Sequence, residues 1–264
     1  MQPTLDDLKT MAYEAGKIQR AAYEQPIQIK HKGDVDLVTE VDFRCESLVM
    51  QSIQSRFAGH SIIAEESGVT DGDRQHTWFI DPLDGTINYA HGVPFFSFSI
   101  AYAFNGRLQL GVIYDPMRDE CFSAEAGKGA WLNERSIHVS DKTLLKESLL
   151  VTGFSTVIHR LPGNSVADNF TNFQRLMMLT QGVRRLGSAA LDLAYVAAGR
   201  LDAYWDLGVK AWDVAAGALL VEEAGGRVTT VEGDADYMKP PYALLAASPA
   251  LHQTIMDVIN QPKD

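Results

Sequence analysis

Apolar residues open the chain at helical spacing. Leu5, Leu8, Ala12, Ala15, Ile18 and Ala22 fall on one face, which predicts a helix starting near Thr4. Asp6 and Asp7 occupy its first turn, where negative charge meets the positive end of the helix dipole. Val41, Cys45, Leu48, Val49, Ile53 and Phe57 repeat the pattern and predict a second helix after Thr39. The period then changes. Ile62-Ile63-Ala64 and Trp78-Phe79-Ile80 read as short buried strands, and large residues at 96, 98, 100, 102 and 104 alternate with Ser or Ala. Further strands are predicted over 108–114 and 120–125, then a turn at Gly127-Lys128-Gly129 before Ala130-Trp131-Leu132.

The polar run Ser140-Asp141-Lys142-Thr143 is the best boundary, dividing an N-terminal subdomain (1–143) from a C-terminal one (144–264). Beyond it come a strand over 149–152 and a helix over 165–181 stopped by Gly182. Next are a helix over 188–198 stopped by Gly199, a strand over 201–206, and a helix over 212–224 ended by Gly225-Gly226. A strand over 242–247 leads to a last helix opened by Ser248-Pro249, with Ser as cap and Pro at the first position. Helices and strands come in mixed runs rather than strict alternation, which points to a layered α+β fold.

Composition narrows the function. The chain has 264 residues, enough for one large unit or two fused subdomains, and a net charge of −11. Such a surface repels a phosphate backbone, so nucleic acid is excluded as a partner. The start, Met1-Gln2-Pro3-Thr4, lacks a basic region and an apolar run, and no stretch approaches the ~18 apolar residues of a membrane span. A cytoplasmic protein with no membrane partner is expected. Cys45 and Cys121 make no disulfide framework and read as small core residues. Asn169-Phe170-Thr171 matches a glycosylation sequon by chance.

Four acidic segments carry the chemistry. They are Asp36-Leu37-Val38-Thr39-Glu40-Val41-Asp42 preceded by Lys32, Ala64-Glu65-Glu66-Ser67, Trp78-Phe79-Ile80-Asp81-Pro82-Leu83-Asp84-Gly85-Thr86, and Ala211-Trp212-Asp213. Asp81 follows directly on an apolar strand, where an unpaired carboxylate is costly. Pro82 fixes the chain direction and Gly85 allows a tight turn, so Asp81, the Leu83 carbonyl and Asp84 can aim at one point. These are hard oxygen ligands suited to Mg²⁺ or Ca²⁺ rather than Zn²⁺. Alone, Asp-Pro-x-Asp-Gly equally suits an Asx-type turn with Asp84 solvated. Asp213 alone reads as a helix N-terminal acid. Convergence of four carboxylates would need cations: two unit charges at 4 Å repel by ~4 kcal/mol at an effective dielectric of 20.

These segments resemble the inositol monophosphatases, within the lithium-sensitive, Mg²⁺-dependent phosphatase superfamily. Trp78–Thr86 with Ile87-Asn88-Tyr89, and Trp212–Gly217 leading to Glu223-Ala224-Gly225-Gly226, are the most specific pieces. Asp36–Thr39 with Asp42, and Gly187-Ser188-Ala189-Ala190, agree in order and spacing. The resemblance implies a layered αβαβα sandwich of the inositol monophosphatase / fructose-1,6-bisphosphatase type. It implies that Glu65, Asp81, the Leu83 carbonyl and Thr86 hold one Mg²⁺, that Asp81, Asp84 and Asp213 hold a second, and that Glu65 contacts a third through waters. Thr86 and Asp42 would orient and deprotonate the attacking water, with no phosphoenzyme. Amides around Gly85 and Thr86, at a helix start, would bind phosphate oxygens. Gly187, Ser188, Ala189 and Asp206, beside Asp213, would line the substrate pocket. A small phosphate monoester as substrate, lithium sensitivity and a homodimer also follow by resemblance.

Two departures stand out. Ala64 replaces the usual Gly, and Asp206 stands where inositol phosphatases commonly carry Glu, one methylene longer. By resemblance the expected activity is hydrolysis of myo-inositol monophosphate; the shorter Asp206 leaves the reaction intact and opens the choice of alcohol. The alternatives are histidinol phosphate, fructose 1,6-bisphosphate or a 3′-phosphonucleotide, or a non-catalytic regulatory role on the same scaffold. Lys32 reads equally as a phosphate helper or a solvated lysine. Arg184-Arg185 reads as a surface strand end. Gly127–Ala130 is no P-loop, no Gly-x-Ser-x-Gly elbow exists, and the seven His show no ligand spacing.

Overall fold

The computed structural model describes residues 1–26, 28–31, 37–154, 166–240 and 242–261. Lys32, Asp36 and the predicted helix start at Ser165 lie outside them. Helix α1 (Leu5–Ala22) begins as its polar pattern requires. Thr4 caps it, and Asp7 closes a capping box back onto the Thr4 amide. Strands β1 (Ile29–His31) and β2 (Leu37–Thr39) form an antiparallel pair. Thr39 then caps α2 (Glu40–Arg56), and Asp42 closes the equivalent box.

The next run builds a sheet of eight strands. In chain order they are β3 (His60–Ala64), β4 (Gly68–Thr70), β5 (Asp73–Asp84), β6 (Ser97–Phe104), β7 (Arg107–Asp115), β8 (Glu120–Glu125), β9 (Gly129–Leu132) and β10 (Arg135–Ser136). Across the sheet the order is β10-β9-β8-β7-β6-β5-β3-β4. Only β3 and β5 run parallel; the other pairs are antiparallel. The short helix α3 (Thr86–Ala90) follows β5.

The rest forms a sheet of five strands with order β12-β11-β13-β15-β14. Its members are β11 (Leu149–Thr152), β12 (Gly182–Arg184), β13 (Ala203–Asp206), β14 (Arg227–Thr230) and β15 (Leu244–Ala247). Strands β11, β12 and β13 are parallel. The helices are α4 (Val166–Leu179), α5 (Ala189–Ala197), α6 (Ala211–Glu223) and α7 (Pro249–Ile259).

The apolar faces decide the layering. Helices α1 and α2 bury Leu8, Met11, Val41, Val49 and Ile53 against Trp78, Ile80, Ile100 and Val112 on one face of the large sheet. Helices α5 and α6 are apolar almost all round, which suits a middle layer. They fill the space between the two sheets with Leu191, Leu193, Val214, Leu219 and Leu220. Helices α4 and α7 cover the outer face of the small sheet with Leu176, Leu251 and Ile255. The result is the expected αβαβα stack. Cys45 and Cys121 are buried and unbridged. Asn169 is also buried; it accepts from Trp205 Nε1 (2.6 Å) and donates to the Gly153 carbonyl (2.7 Å), a structural role that leaves the sequon's asparagine amide unexposed. Among the described residues no helix is long and apolar enough to cross a membrane.

Candidate active site

Strand ends and helix starts meet at one cavity of about 410 Å³. In a parallel pair the strands finish at the same edge. The register matches Ala64 with Ile80, so Glu65 and Asp81 emerge side by side, and the Glu65 amide donates to the Ile80 carbonyl (3.1 Å). The small sheet does the same. Residues at or just past the ends of β11, β12 and β13, namely Gly153, Phe154, Arg185 and Asp206, line the opposite wall. Crevices at the carboxyl ends of parallel strands are where α/β sheets bind ligands.

Strand β5 carries the densest chemistry. Its exposed start gives way to a buried end, with Asp81 only 2% exposed. Asp81 pairs with Ser99 and Asp84 with Ser97, so one extra residue bulges between them. Pro82, which has no N–H to give the ladder, sits in that bulge, and its carbonyl accepts from the buried Gln19 amide (2.8 Å). Asp81 Oδ1 accepts from the Leu83 amide (3.1 Å) in an Asx turn. Gly85 then takes φ +92°, and a Cβ there would meet the Phe95 carbonyl at 3.0 Å. That turn starts α3 and puts the Thr86 hydroxyl 2.9 Å from the Leu83 carbonyl and 3.1 Å from Asp42 Oδ1. Asp42 is fully buried; its other oxygen accepts from the Thr39 amide and hydroxyl.

Asp84 crosses to the middle layer. It accepts from Ser188 Oγ, from the Ala190 amide (2.8 Å) and from the Ala189 amide (3.3 Å), at the positive start of α5. Asn88 Nδ2 ties the same junction by donating to Phe95 and Leu186 carbonyls, each at 2.8 Å. Asp213 sits in the first turn of α6 and accepts from the Lys210 amide (2.7 Å).

Burial and mutual repulsion strain these carboxyls. Burial, then the charges of Glu65, Asp84 and Asp213, pushes Asp81 well above the usual carboxylate range. Burial, then Asp84, does the same to Asp213. Burial raises Asp84 to about 6 against the lowering bonds from Ser188 and Ala190. Asp42 is raised by burial against its Thr39 bonds. At the far wall burial lifts Asp206 to about 6 against the Gly208 and Leu207 amides, and lifts Asp192 well up with help from Asp84 and Asp206.

Every residue named from the sequence as ligand or pocket lining is at this cavity: Glu65, Asp81, Leu83, Asp84, Gly85, Thr86, Gly187, Ser188, Ala189, Asp206 and Asp213. Asp42 stands behind Thr86 rather than on the wall. No three carboxyls among the described residues form a ready-made coordination sphere, because Asp84 and Asp213 are turned onto backbone amides. The donor set still fits a hard divalent cation. It is all oxygen, rich in carboxyls and buried or half-buried, and its raised proton affinities mark charge that positive ions would neutralise. Arg184 and Arg185 are both exposed at the end of β12, as read, and Arg185 in addition lines the cavity, where its charge bears on Asp192 and Asp206. Its place after a parallel strand was the signal. Lys210, Asp192 and Tyr204 also line the wall and were missed.

A sequence model of the inositol monophosphatase family matches residues 1–263. The Nus factor SuhB of Pseudomonas aeruginosa is 42% identical over 90% of this chain and 89% of its own. The inositol-1-monophosphatase of Mesorhizobium japonicum is 38% identical over 90% of this chain and 88% of its own. Among solved structures, the inositol monophosphatase of Anabaena (Nostoc) sp. PCC 7120 superposes with a TM-score of 0.87 at 43% identity, covering 98% of this chain and 96% of that one. The extragenic suppressor protein suhB of Bartonella henselae gives a TM-score of 0.91 at 36% identity, with 98% of each chain covered.

Proposed function

The chain belongs to the inositol monophosphatase family, and from that premise we propose a Mg²⁺-dependent phosphatase of small phosphate monoesters, myo-inositol monophosphate foremost. The observation that carries the reading is the gathering of Glu65, Asp81, Asp84 and Asp213 around one cavity, from the ends of two strands of the large sheet and the start of α6. Glu65, Asp81, the Leu83 carbonyl and Thr86 would hold one Mg²⁺, and Asp81, Asp84 and Asp213 another, with a third reached from Glu65 through waters. When bound, such ions supply charge neutralisation and lower the pKa of a coordinated water.

The chain's own groups supply the rest. Thr86 gives its hydroxyl proton toward Asp42 Oδ1 or the Leu83 carbonyl, which leaves an oxygen lone pair to accept from an attacking water. Asp42, raised by burial, is suited to hold the proton that the water releases. The amides opening α3 would receive phosphate oxygens. Arg185 and Lys210 add positive charge to a cavity that otherwise repels an anionic ester. The proposal extends to a cytoplasmic, lithium-sensitive homodimer whose subdomains divide at 1–143 and 144–264.

The test is phosphate release from inositol 1-phosphate, glycerol 2-phosphate, histidinol phosphate, fructose 1,6-bisphosphate and a 3′-phosphonucleotide, with and without Mg²⁺. Mg²⁺-dependent release led by inositol 1-phosphate is expected. Another leader would keep the chemistry and reassign the substrate. The relatives named Nus factors favour a second reading, a regulatory protein on this scaffold. Absence of release from every ester would put that reading first.

A further inference from the structure

Asp192 is a buried acid that none of the steps above uses. It is 1% exposed, lines the cavity, and its Oδ1 has no hydrogen-bond partner. Buried polar atoms are nearly always paired, so an orphan oxygen in a cavity-lining carboxyl points to a partner that the protein itself does not supply. Ser188 and Ala189 line the same cavity, and residues three and four apart share a helix face, so α5 turns Asp192 toward the site. Its surroundings are the far-wall groups: after burial, the charges of Asp206 and then Asp192 bear most on the Tyr204 hydroxyl, which lies 3.5 Å from Asp206 Oδ2. Asp206 already accepts from the Gly208 amide (2.9 Å), so it is partly satisfied where Asp192 is not. A Cβ on Gly153 would fall 1.9 Å from Asp206 Oδ2, so glycine there leaves the space that this wall needs.

We propose that Asp192 is a specificity-determining residue, whose carboxyl hydrogen-bonds a hydroxyl on the alcohol half of a polyol phosphate. This rests on the phosphatase reading. It predicts discrimination by the alcohol, because a site that pairs a buried polar group with a substrate hydroxyl rejects an analogue lacking it.

The experiment compares inositol 1-phosphate with p-nitrophenyl phosphate, which carries no alcohol hydroxyl, in the unaltered chain, Asp192→Ala and Asp192→Asn. Asp192→Ala should raise KM for inositol 1-phosphate about 10- to 100-fold, with kcat and the p-nitrophenyl phosphate constants within about threefold. Asp192→Asn keeps a donor and an acceptor at the same place and should restore most of the preference. Equal losses on both esters, or none on either, would overturn the assignment, as would an Asn variant as poor as the Ala one. Should the unaltered chain hydrolyse neither ester, the phosphatase reading itself falls and takes this proposal with it.

Discussion

Replacing Asp84 by Asn should stabilise the metal-free protein at alkaline pH while removing its response to Mg²⁺. Burial raises the Asp84 carboxyl from 3.8 to about 6. At about 1.4 kcal/mol per tenfold change in proton affinity, that corresponds to about 3 kcal/mol. The sign follows from which state holds the proton. Between these values the folded chain binds it more tightly than the unfolded chain, so the contribution is fully present below 3.8 and is lost as pH rises through about 6. Roughly half of the loss, about 1.5 kcal/mol, falls between pH 5 and 8. Asn does not ionise, and its carbonyl can still accept from Ser188 and Ala190. It forfeits the long bond from Ala189, about 1 kcal/mol. The variant should therefore be about 2 kcal/mol more stable than the unaltered chain at pH 8, with the gap narrowing toward pH 5. Urea denaturation in EDTA at both pH values measures it, with equal m-values as the check on two-state behaviour. Added Mg²⁺ should raise the midpoint of the unaltered chain and leave Asp84→Asn nearly unmoved. A gap independent of pH, or a less stable variant at pH 8, would refute the account of Asp84 as a buried, repelled carboxyl.

Other outcomes follow from the same geometry. Gly85→Ala forces a side chain onto a left-handed residue and into the Phe95 carbonyl, and should cost about 2–3 kcal/mol in denaturant titration. Thr86→Ala removes the hydroxyl between Asp42 and the Leu83 carbonyl; kcat should drop about 10²- to 10³-fold with little change in Tm. Asn169→Ala strands the Trp205 indole N–H in the core and should cost about 2–3 kcal/mol, read as a lower Tm with kcat/KM retained after refolding checks.

The sequence was most legible where local chemistry decides. The helices after Thr4 and Thr39 were legible from their apolar spacing, and the structure adds the local reason for their starts: each Thr is followed three residues later by a carboxylate that completes a capping box. Strand β8 stands over the residues its alternation predicted, and α6 is set by a long apolar run between Trp212 and Gly225. Strands β1, β4, β10 and β14 were not legible. They are short, and their pairing partners rather than their own residues make them strands. At the site, Asp81 and Asp84 stood out because acids closing an apolar strand need a reason. Asp192 did not, since an acid inside a helix ordinarily faces water, and only the middle-layer position of α5 buries it. The place of Arg185 on the cavity wall was hidden for a similar reason: the direction of a three-residue strand comes from its parallel partner β11.

The bonding of Asp84 to α5 divides the labour between its two oxygens. Oδ2 is anchored by Ser188 and the Ala190 amide, while Oδ1 has only the long contact with Ala189. A cation could therefore draw on Oδ1 and leave the helix cap almost intact, so loading the cavity need not fray α5. The same anchoring moderates the pull. Part of the carboxylate's charge is already answered by the helix start, which eases the repulsion in the cavity and would weaken its grip on an ion. In the proposed metal-dependent reading the scaffold itself would thus hold affinity down, a useful property where ions must leave as readily as they arrive.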